Sequence, residues 1–290
     1  MTAAIVAQLD PPGAGRKIRL IPGLDFIGHV ALLLVLVFAF LAAFGPLIAP
    51  HDPNAVDLSR SYWGPDAEHP LGYDQQGRDI FSRLLYGARS SFLGPLIIVV
   101  VATTLGMTLA LIGAWRKGWI DAALAGILDS SLAFPGLLLA VMVVAIVGPG
   151  IQATVIALAI AYTPYMARIV RSAALAEINK DYVAAAKVQG FSGLVICVRH
   201  VIPNILPIVL GQAVLTVAWA TVDIAGLSFL GLGIQPPAAD WGIMLANGQT
   251  GVLQGYPTEA LAAGLSLVIA ICSFSLLGER ITRRGEVLAA

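Results

Sequence analysis

YVAAAKVQGFSGLVICVRHVIPNILP, residues 182–207, separates two long apolar runs, and its reading decides the fold. It carries Lys187, Arg199, His200, Pro203 and Pro207 between stretches that are almost free of charge. Residues 173–188 place Leu175, Ile178, Tyr182, Ala185 and Ala186 near one helical face. Gly190 can end that helix in a left-handed conformation. Ser192 can cap a second helix, with Leu194, Val198, Val201 and Ile202 on its apolar side. Pro203 and Pro207 then mark the turn into the next run, both tolerated near a helix start. The segment 173–203 therefore reads as a short helical hairpin. A projecting helix suits docking into a groove on another protein. The plainer alternative is a folded loop that ties two spans together.

Composition sets the class. Of the 290 residues, 58% are hydrophobic and 12% charged, against about a quarter charged in soluble domains. Mean hydropathy is +0.85. Apolar runs lie at 29–49, 92–114, 124–147, 151–168, 205–230 and 259–278, each near the ~20 residues needed to cross a bilayer. The expectation is an all-α, polytopic membrane protein with six transmembrane helices. Gly148-Pro149-Gly150 makes a tight turn between the third and fourth runs. The formal net charge is zero, so no basic field points to nucleic acid. Cys197 and Cys272 show no disulfide or metal spacing. Arg16, Lys17 and Arg19 precede the first run as in a signal peptide. That run is too long for a signal core and lacks a small-residue cleavage site, so it reads as a retained span.

Charge distribution orients the chain. With the N-terminus inside, the inner segments hold 13 of the Lys and Arg residues and the outer segments hold four, Arg60, Arg78, Arg83 and Arg89. Both termini and the hairpin are then expected on the cytoplasmic side. The resulting organisation is a cytoplasmic tail 1–28, a first span 29–49 and an outer loop 50–91 with an interfacial helix. A five-span core 92–278 follows, with the 173–203 hairpin and a second outer loop 231–258, and then a tail 279–290.

Four stretches resemble one family. Ala184-Ala185-Ala186, three residues, Gly190 and the later HVIP at 200–203 resemble the EAA loop of bacterial ABC-importer permeases. HPLGYDQQGRDIFSRLLYGARSS (69–91), LAFPGLLLA (132–140) and LSFLGLGIQPPAADWGIML (227–245) are similar to the dipeptide/oligopeptide permeases of the DppC/OppC type. The resemblance implies a type I ABC-importer permease fold in the bacterial inner membrane, importing di- or oligopeptides. It implies a homologous second permease, two P-loop ATPase subunits and an extracytoplasmic peptide-binding protein as partners. ATP and Mg2+ would sit on the ATPases, with no cofactor on this chain. The hairpin would be the coupling element, with Asp181, Ala184, Ala185, Ala186, Lys187, Gly190, Arg199 and Pro203 in the docking loop. The family's Glu is Ala184 here, so a charge contact would need another residue, with Asp181 as a candidate.

Elsewhere the residues leave alternatives open. In the outer loop, Gly72, Gly77, Asp74 and Asp79 suggest a turn and then an amphipathic helix, Ile80 to Tyr86. Arg83 could touch a binding protein, or it could sit at lipid headgroups beside Arg89. Pro236-Pro237 forbids a continuous helix. Trp241 could meet a binding protein or lie in the aromatic belt. Asp129 and Asp223 lie at or within spans, where carboxylates are expensive. Asp223 and the nearby Ser228 are candidates for a translocation path, or Asp223 hydrogen-bonds a neighbouring span.

No enzyme pattern is present. None of the four lysines is followed by Ser or Thr, so there is no P-loop, and the four histidines are scattered. Three rivals to peptide import stand: uptake of nickel or another small solute, an intramembrane enzyme with Asp129 and Asp223 as a pair, and a stand-alone channel.

Overall fold

The computed structural model describes residues 25–116 and 118–289, with side chains to Arg283. Arg16, Lys17, Arg19 and Lys117, used above for orientation, lie outside the described residues. Among the described residues the regular structure is helical, including a short 3-10 turn at Leu58–Arg60, apart from one isolated bridge between Tyr73 and Asp79. In order the helices are α1 (Phe26–Ile48), α2 (Ile80–Arg116), α3 (Gly118–Leu132), α4 (Gly136–Val147), α5 (Ile151–Ile178), α6 (Asp181–Val188) and α7 (Gly193–Ile196). A π turn (Cys197–Val201), α8 (Ile202–Phe229), α9 (Trp241–Leu253) and α10 (Thr258–Ala289) complete the chain.

Five helices are long and apolar enough to cross a membrane: α1, α2, α5, α8 together with its α7 lead-in, and α10. The sixth is a broken pair, α3 and α4, bent by 84°. The run 124–147 was expected as a span that contains Asp129 and Pro135, and the structure shows it bent. The break has a local cause. Pro135 disfavours helix at Phe134 and itself takes an extended ψ of 123°, which starts α4 on a new axis. At 15 and 12 residues, each piece alone is shorter than a bilayer core.

The expected interfacial helix Ile80–Tyr86 is not separate. It is the first two turns of α2, which runs without a break for 37 residues, or about 55 Å. Helix α2 runs through Pro95 and ends at Arg116, ahead of Gly118, whose φ is +63°.

The helices alternate between two ends of the bundle. One end, here the cap end, carries residues 49–79 and the segment 230–257. The opposite end, the hairpin end, carries α6 and α7. The described N-terminus and α10 meet at the hairpin end, where Arg280 pairs with Asp25 at 2.8 Å. Small residues let the helices approach closely. A Cβ on Gly106 would lie 2.8 Å from the Ala167 nitrogen, and one on Gly278 would lie 2.7 Å from the Leu215 nitrogen. These contacts seat α2 on α5 and α10 on α8.

Three large apolar clusters fill the interior, and a small fourth joins Ala31 of α1 to Leu277 of α10. Ile98, Val144, Leu158, Ile224 and Phe274 join α2, α4, α5, α8 and α10. Phe38, Ile80, Trp241, Met244 and Leu267 fill the cap end. Met166, Val170, Val183, Ile196, Val201 and Ile205 fill the hairpin end.

The cap is held by buried polar contacts. The Asp74 carboxylate accepts from the Gln76 and Arg78 amides at 2.8 and 2.9 Å and from Arg78 Nε at 2.6 Å. Gly72 and Gly77 both have positive φ, as a turn before α2 requires. Gly77 is also pressed against the chain, since a Cβ there would stand 1.7 Å from the Asp57 carbonyl oxygen. Gly77→Ala should therefore destabilise the protein by about 2–4 kcal/mol, seen as a lower thermal midpoint in detergent. An unchanged midpoint would contradict this packing.

Candidate functional site

The hairpin is built from the ends of two spans. Helix α5 stops at Ile178, the chain turns at Asn179 and Lys180, and α6 begins at Asp181. The helix expected over 173–188 is thus split, because Lys180 adopts an extended backbone. Gly190 ends the α6 turn at φ +84°. Ser192 caps α7, its Oγ accepting from the Val195 amide at 3.4 Å. The exit also departs from expectation. Instead of a turn at Pro203 and Pro207, the chain passes through α7 and the π turn straight into α8. Pro203 has no N–H for the carbonyl one helical turn back, and the wider π turn falls where that donor is missing.

Val183, Ile196 and Val201 are fully buried, in the same cluster as Val170 of α5 and Ile205 of α8. Leu194 and Val198, expected on the packed side, are instead 76% and 58% exposed. With Val188 at 89% and Phe191 at 46% exposed, they give the hairpin an apolar outer surface. Asp181, Ala184, Ala185, Lys187, Gly190 and Arg199 are exposed around it, Pro203 is half-buried, and Ala186 is buried. Lys187 lies over the Trp115 ring of α2, 4.9 Å from its centroid. A Cβ on Gly193 would meet the same indole at 2.2 Å, so α7 rests directly on α2.

A hydrogen-bond chain that the sequence did not reveal closes the base of the hairpin. Tyr182 Oη donates to Glu177 Oε1 at 2.6 Å and accepts from Asn204 Nδ2 at 3.1 Å. Lys180 Nζ pairs with Glu177 at 2.9 Å. The chain links α5, α6 and α8. Burial first, and then the bond to Glu177, push the Tyr182 phenol up to about 12, so it remains a donor at neutral pH. The single clue in the sequence was a carboxylate, Glu177, between the apolar Leu175 and Ile178.

A second feature is a groove of about 540 Å3 along the spans, lined by Pro135, Gly136, Tyr165, Trp219 and Asp223 among others. Asp223 accepts from Tyr162 Oη at 2.7 Å, so it bonds a neighbouring span and still faces the groove. Ser228 does not line this groove. It is buried, its Oγ accepts from the Ile234 amide at 3.3 Å, and it shapes the turn after α8. Asp129 pairs with Arg168, and Asp121 takes a two-pronged bond from Arg171 at 2.7 and 2.6 Å. These pairs tie α3 to α5. The partners of Asp129 and Asp223 are six positions apart on α5, about 9 Å along its axis. The two carboxylates thus serve separate contacts.

At the cap end, Arg83 and Trp241 are buried, at 0% and 3% exposure. Neither is the surface contact nor the headgroup or belt residue expected. Arg83 Nη1 donates to the Pro53 carbonyl at 2.8 Å, and Trp241 Nε1 donates to the Leu84 carbonyl at 2.9 Å. Beside Trp241, Asp240 caps α9, accepting from the Gly242 amide at 2.9 Å and from Ser91 Oγ at 2.9 Å. Burial pushes its carboxyl up from the ordinary range even so.

Comparison with known proteins gives this arrangement its class. The pattern of the family described as "Binding-protein-dependent transport system inner membrane component" matches residues 76–284. The chain belongs to this family. A second pattern, the N-terminal TM domain of oligopeptide transport permease C, matches residues 28–65. The chain is 38% identical over 250 residues to the dipeptide transport system permease protein DppC of Alkalihalophilus pseudofirmus, covering 86% of this chain and 82% of that one. It is 35% identical over 281 residues to the probable D,D-dipeptide transport system permease protein DdpC of Escherichia coli, covering 97% and 94%. Among solved structures, an inward-facing MetNI methionine ABC transporter chain superposes with a TM-score of 0.58 at 20% identity, covering 70% of this chain and 96% of that one. This permease is therefore a multi-pass membrane transport subunit and not a catalytic one, with the fold of an ABC-importer permease. The family implies a partner permease and ATPase subunits.

The hydrogen-bond chain makes a local prediction. A hydrogen bond to a charged group is worth about 1.5–3 kcal/mol net. Tyr182→Phe should therefore speed amide hydrogen exchange across residues 177–188 by about tenfold or more. Exchange equal to the parent would show that packing alone holds α6.

Proposed function

We propose that this permease forms, with a second permease, the membrane pathway of an ATP-driven importer of di- or oligopeptides. The observation that carries the reading is the hairpin: a packed base continuous with two spans beneath an exposed apolar surface at Val188, Phe191, Leu194 and Val198. Such a surface suits docking against an ATPase subunit, and its base would pass the movement to α5 and α8. Peptide as cargo rests on the printed names of the relatives in Alkalihalophilus and Escherichia coli. A peptide-binding protein would deliver cargo at the cap end. ATP and Mg2+ would be held by the ATPases.

In this reading the hairpin end and both termini face the cytoplasm. The meeting of Asp25 and Arg280 supports placing them on one side, and the excess of Lys and Arg in those segments supports the cytoplasm. Of the residues singled out in the docking loop, Asp181 and Arg199 are the exposed charges that could meet an ATPase. Lys187 has an aromatic partner within its own chain. The groove beside Asp223 would form part of the path once a second permease closes it.

Gly190 provides the test. Its φ of +84° is costly for a β-branched residue, while a Cβ would meet nothing within 4 Å. Gly190→Val should therefore assemble normally but redirect the chain between α6 and α7. Strain of about 1–2 kcal/mol corresponds to roughly tenfold. ATP hydrolysis should persist while peptide uptake falls by about that factor. Normal uptake in an assembled variant would contradict the coupling role.

A further inference from the structure

The cap brings together three side chains that stand far apart in sequence. His51 follows α1, His69 lies in the loop, and Asp79 stands at the head of α2. Their potential ligand atoms all lie within 4.8 Å of one another. His69 Nδ1 is 3.0 Å from Asp79 Oδ1, and His51 Nδ1 is 3.8 Å from Asp79 Oδ2. The imidazoles stack with centroids 4.1 Å apart, and His69 packs on Tyr73. Asp79 is fixed by the Ser82 amide, which donates to Oδ2 at 2.7 Å. His69 and Asp79 are buried.

The His69–Asp79 hydrogen bond alone could be ordinary cap structure. His51 does not fit that account. Its Nδ1 is buried from solvent and has no hydrogen-bond partner, although the Asp79 carboxylate is nearby. A buried ring nitrogen without a partner is an unfavourable arrangement. A shared cation would resolve it.

We infer that His51, His69 and Asp79 form a zinc-binding site at the cap end. Two imidazole nitrogens and one carboxylate oxygen are a ligand set that zinc accepts, with a fourth position left for water. Tetrahedral bonds of about 2.0–2.1 Å place ligand atoms roughly 3.3 Å apart, so the spacing is close, but the stacked rings must rotate apart for both nitrogens to reach one ion, with the half-exposed His51 making the larger movement. On binding, His69 Nδ1 exchanges its hydrogen bond to Asp79 for the metal, and its ring proton moves to Nε2. The His51 side chain is 34% exposed, which leaves a route for the ion and a place for the water. The ion would fasten the segment after α1 to the head of α2. This departs from the sequence-based expectation of no metal on this chain, and it does not depend on the cargo.

The test is zinc content of the full chain purified in mild detergent, after equilibration with buffered micromolar zinc. The parent protein should retain one zinc per chain and show a higher thermal midpoint with zinc than with chelator. His51→Phe keeps a stacked ring and removes the ligand. Changes outside the ligand shell already cost about 10–100-fold in affinity, so this variant should bind at least about 100-fold more weakly and lose the zinc-dependent shift. His29→Ala, far from the cap, should behave as the parent. Cobalt substitution gives a second readout, a visible absorption band in the parent that His51→Phe alters. Failure of the parent to bind zinc, or equal binding and an equal cobalt spectrum in His51→Phe, would overturn the site.

Discussion

The arrangement depends on one packing constraint: the hairpin has no core of its own. Two helices of eight and four residues are too short to be stable in isolation. They persist because Val183 and Ile196 are buried among Val170 of α5 and Ile205 of α8. In the proposed coupling role, the same burial would make the hairpin carry those spans when it turns. The Glu177–Tyr182–Asn204 chain fixes the base, and Trp115 supports α7 from α2. With its inner residues committed to this cluster, the hairpin exposes Val188, Leu194 and Val198. A packed base and an exposed apolar surface thus come from the same sorting of apolar side chains.

The cap end uses different physics. There the chain leaves its spans and must satisfy backbone polar groups without a helix ladder. Buried side chains do this work: Asp74 binds the 74–78 turn, Arg83 reaches the Pro53 carbonyl, and Asp240 caps α9. The first turns of α2 are covered by this layer, with Ile80, Ser82, Arg83 and Leu85 buried. Between the two ends, the break at Pro135 leaves an open groove beside Asp223.

Much of this was legible in the residues. The apolar runs marked the spans because a bilayer imposes length and composition together. Gly190 and Ser192 marked the hairpin tip, since a left-handed turn and a helix cap each demand particular side chains. Other features were hidden because they depend on partners distant in sequence. Nothing in Arg83 or Trp241 distinguished a surface anchor from a buried donor until Pro53 and Leu84 were found beside them. The faces of the α7 segment were misassigned because α7 continues through a π turn, which shifts the helical phase. His51, His69 and Asp79 come from separate segments with no metal-binding spacing, so only the folded cap unites them.

The central claim is that the hairpin and its spans move as one body, and a distance measurement tests it directly. Spin labels would be placed at Val188 on the hairpin and Ile156 on α5, both exposed, after replacement of Cys197 and Cys272. Pulsed dipolar spectra of the assembled importer would be compared between nucleotide-free and nucleotide-trapped states. A rigid lever predicts the same narrow distance distribution in both. A distribution that shifts or broadens with nucleotide would show the hairpin moving independently of α5 and would contradict the account.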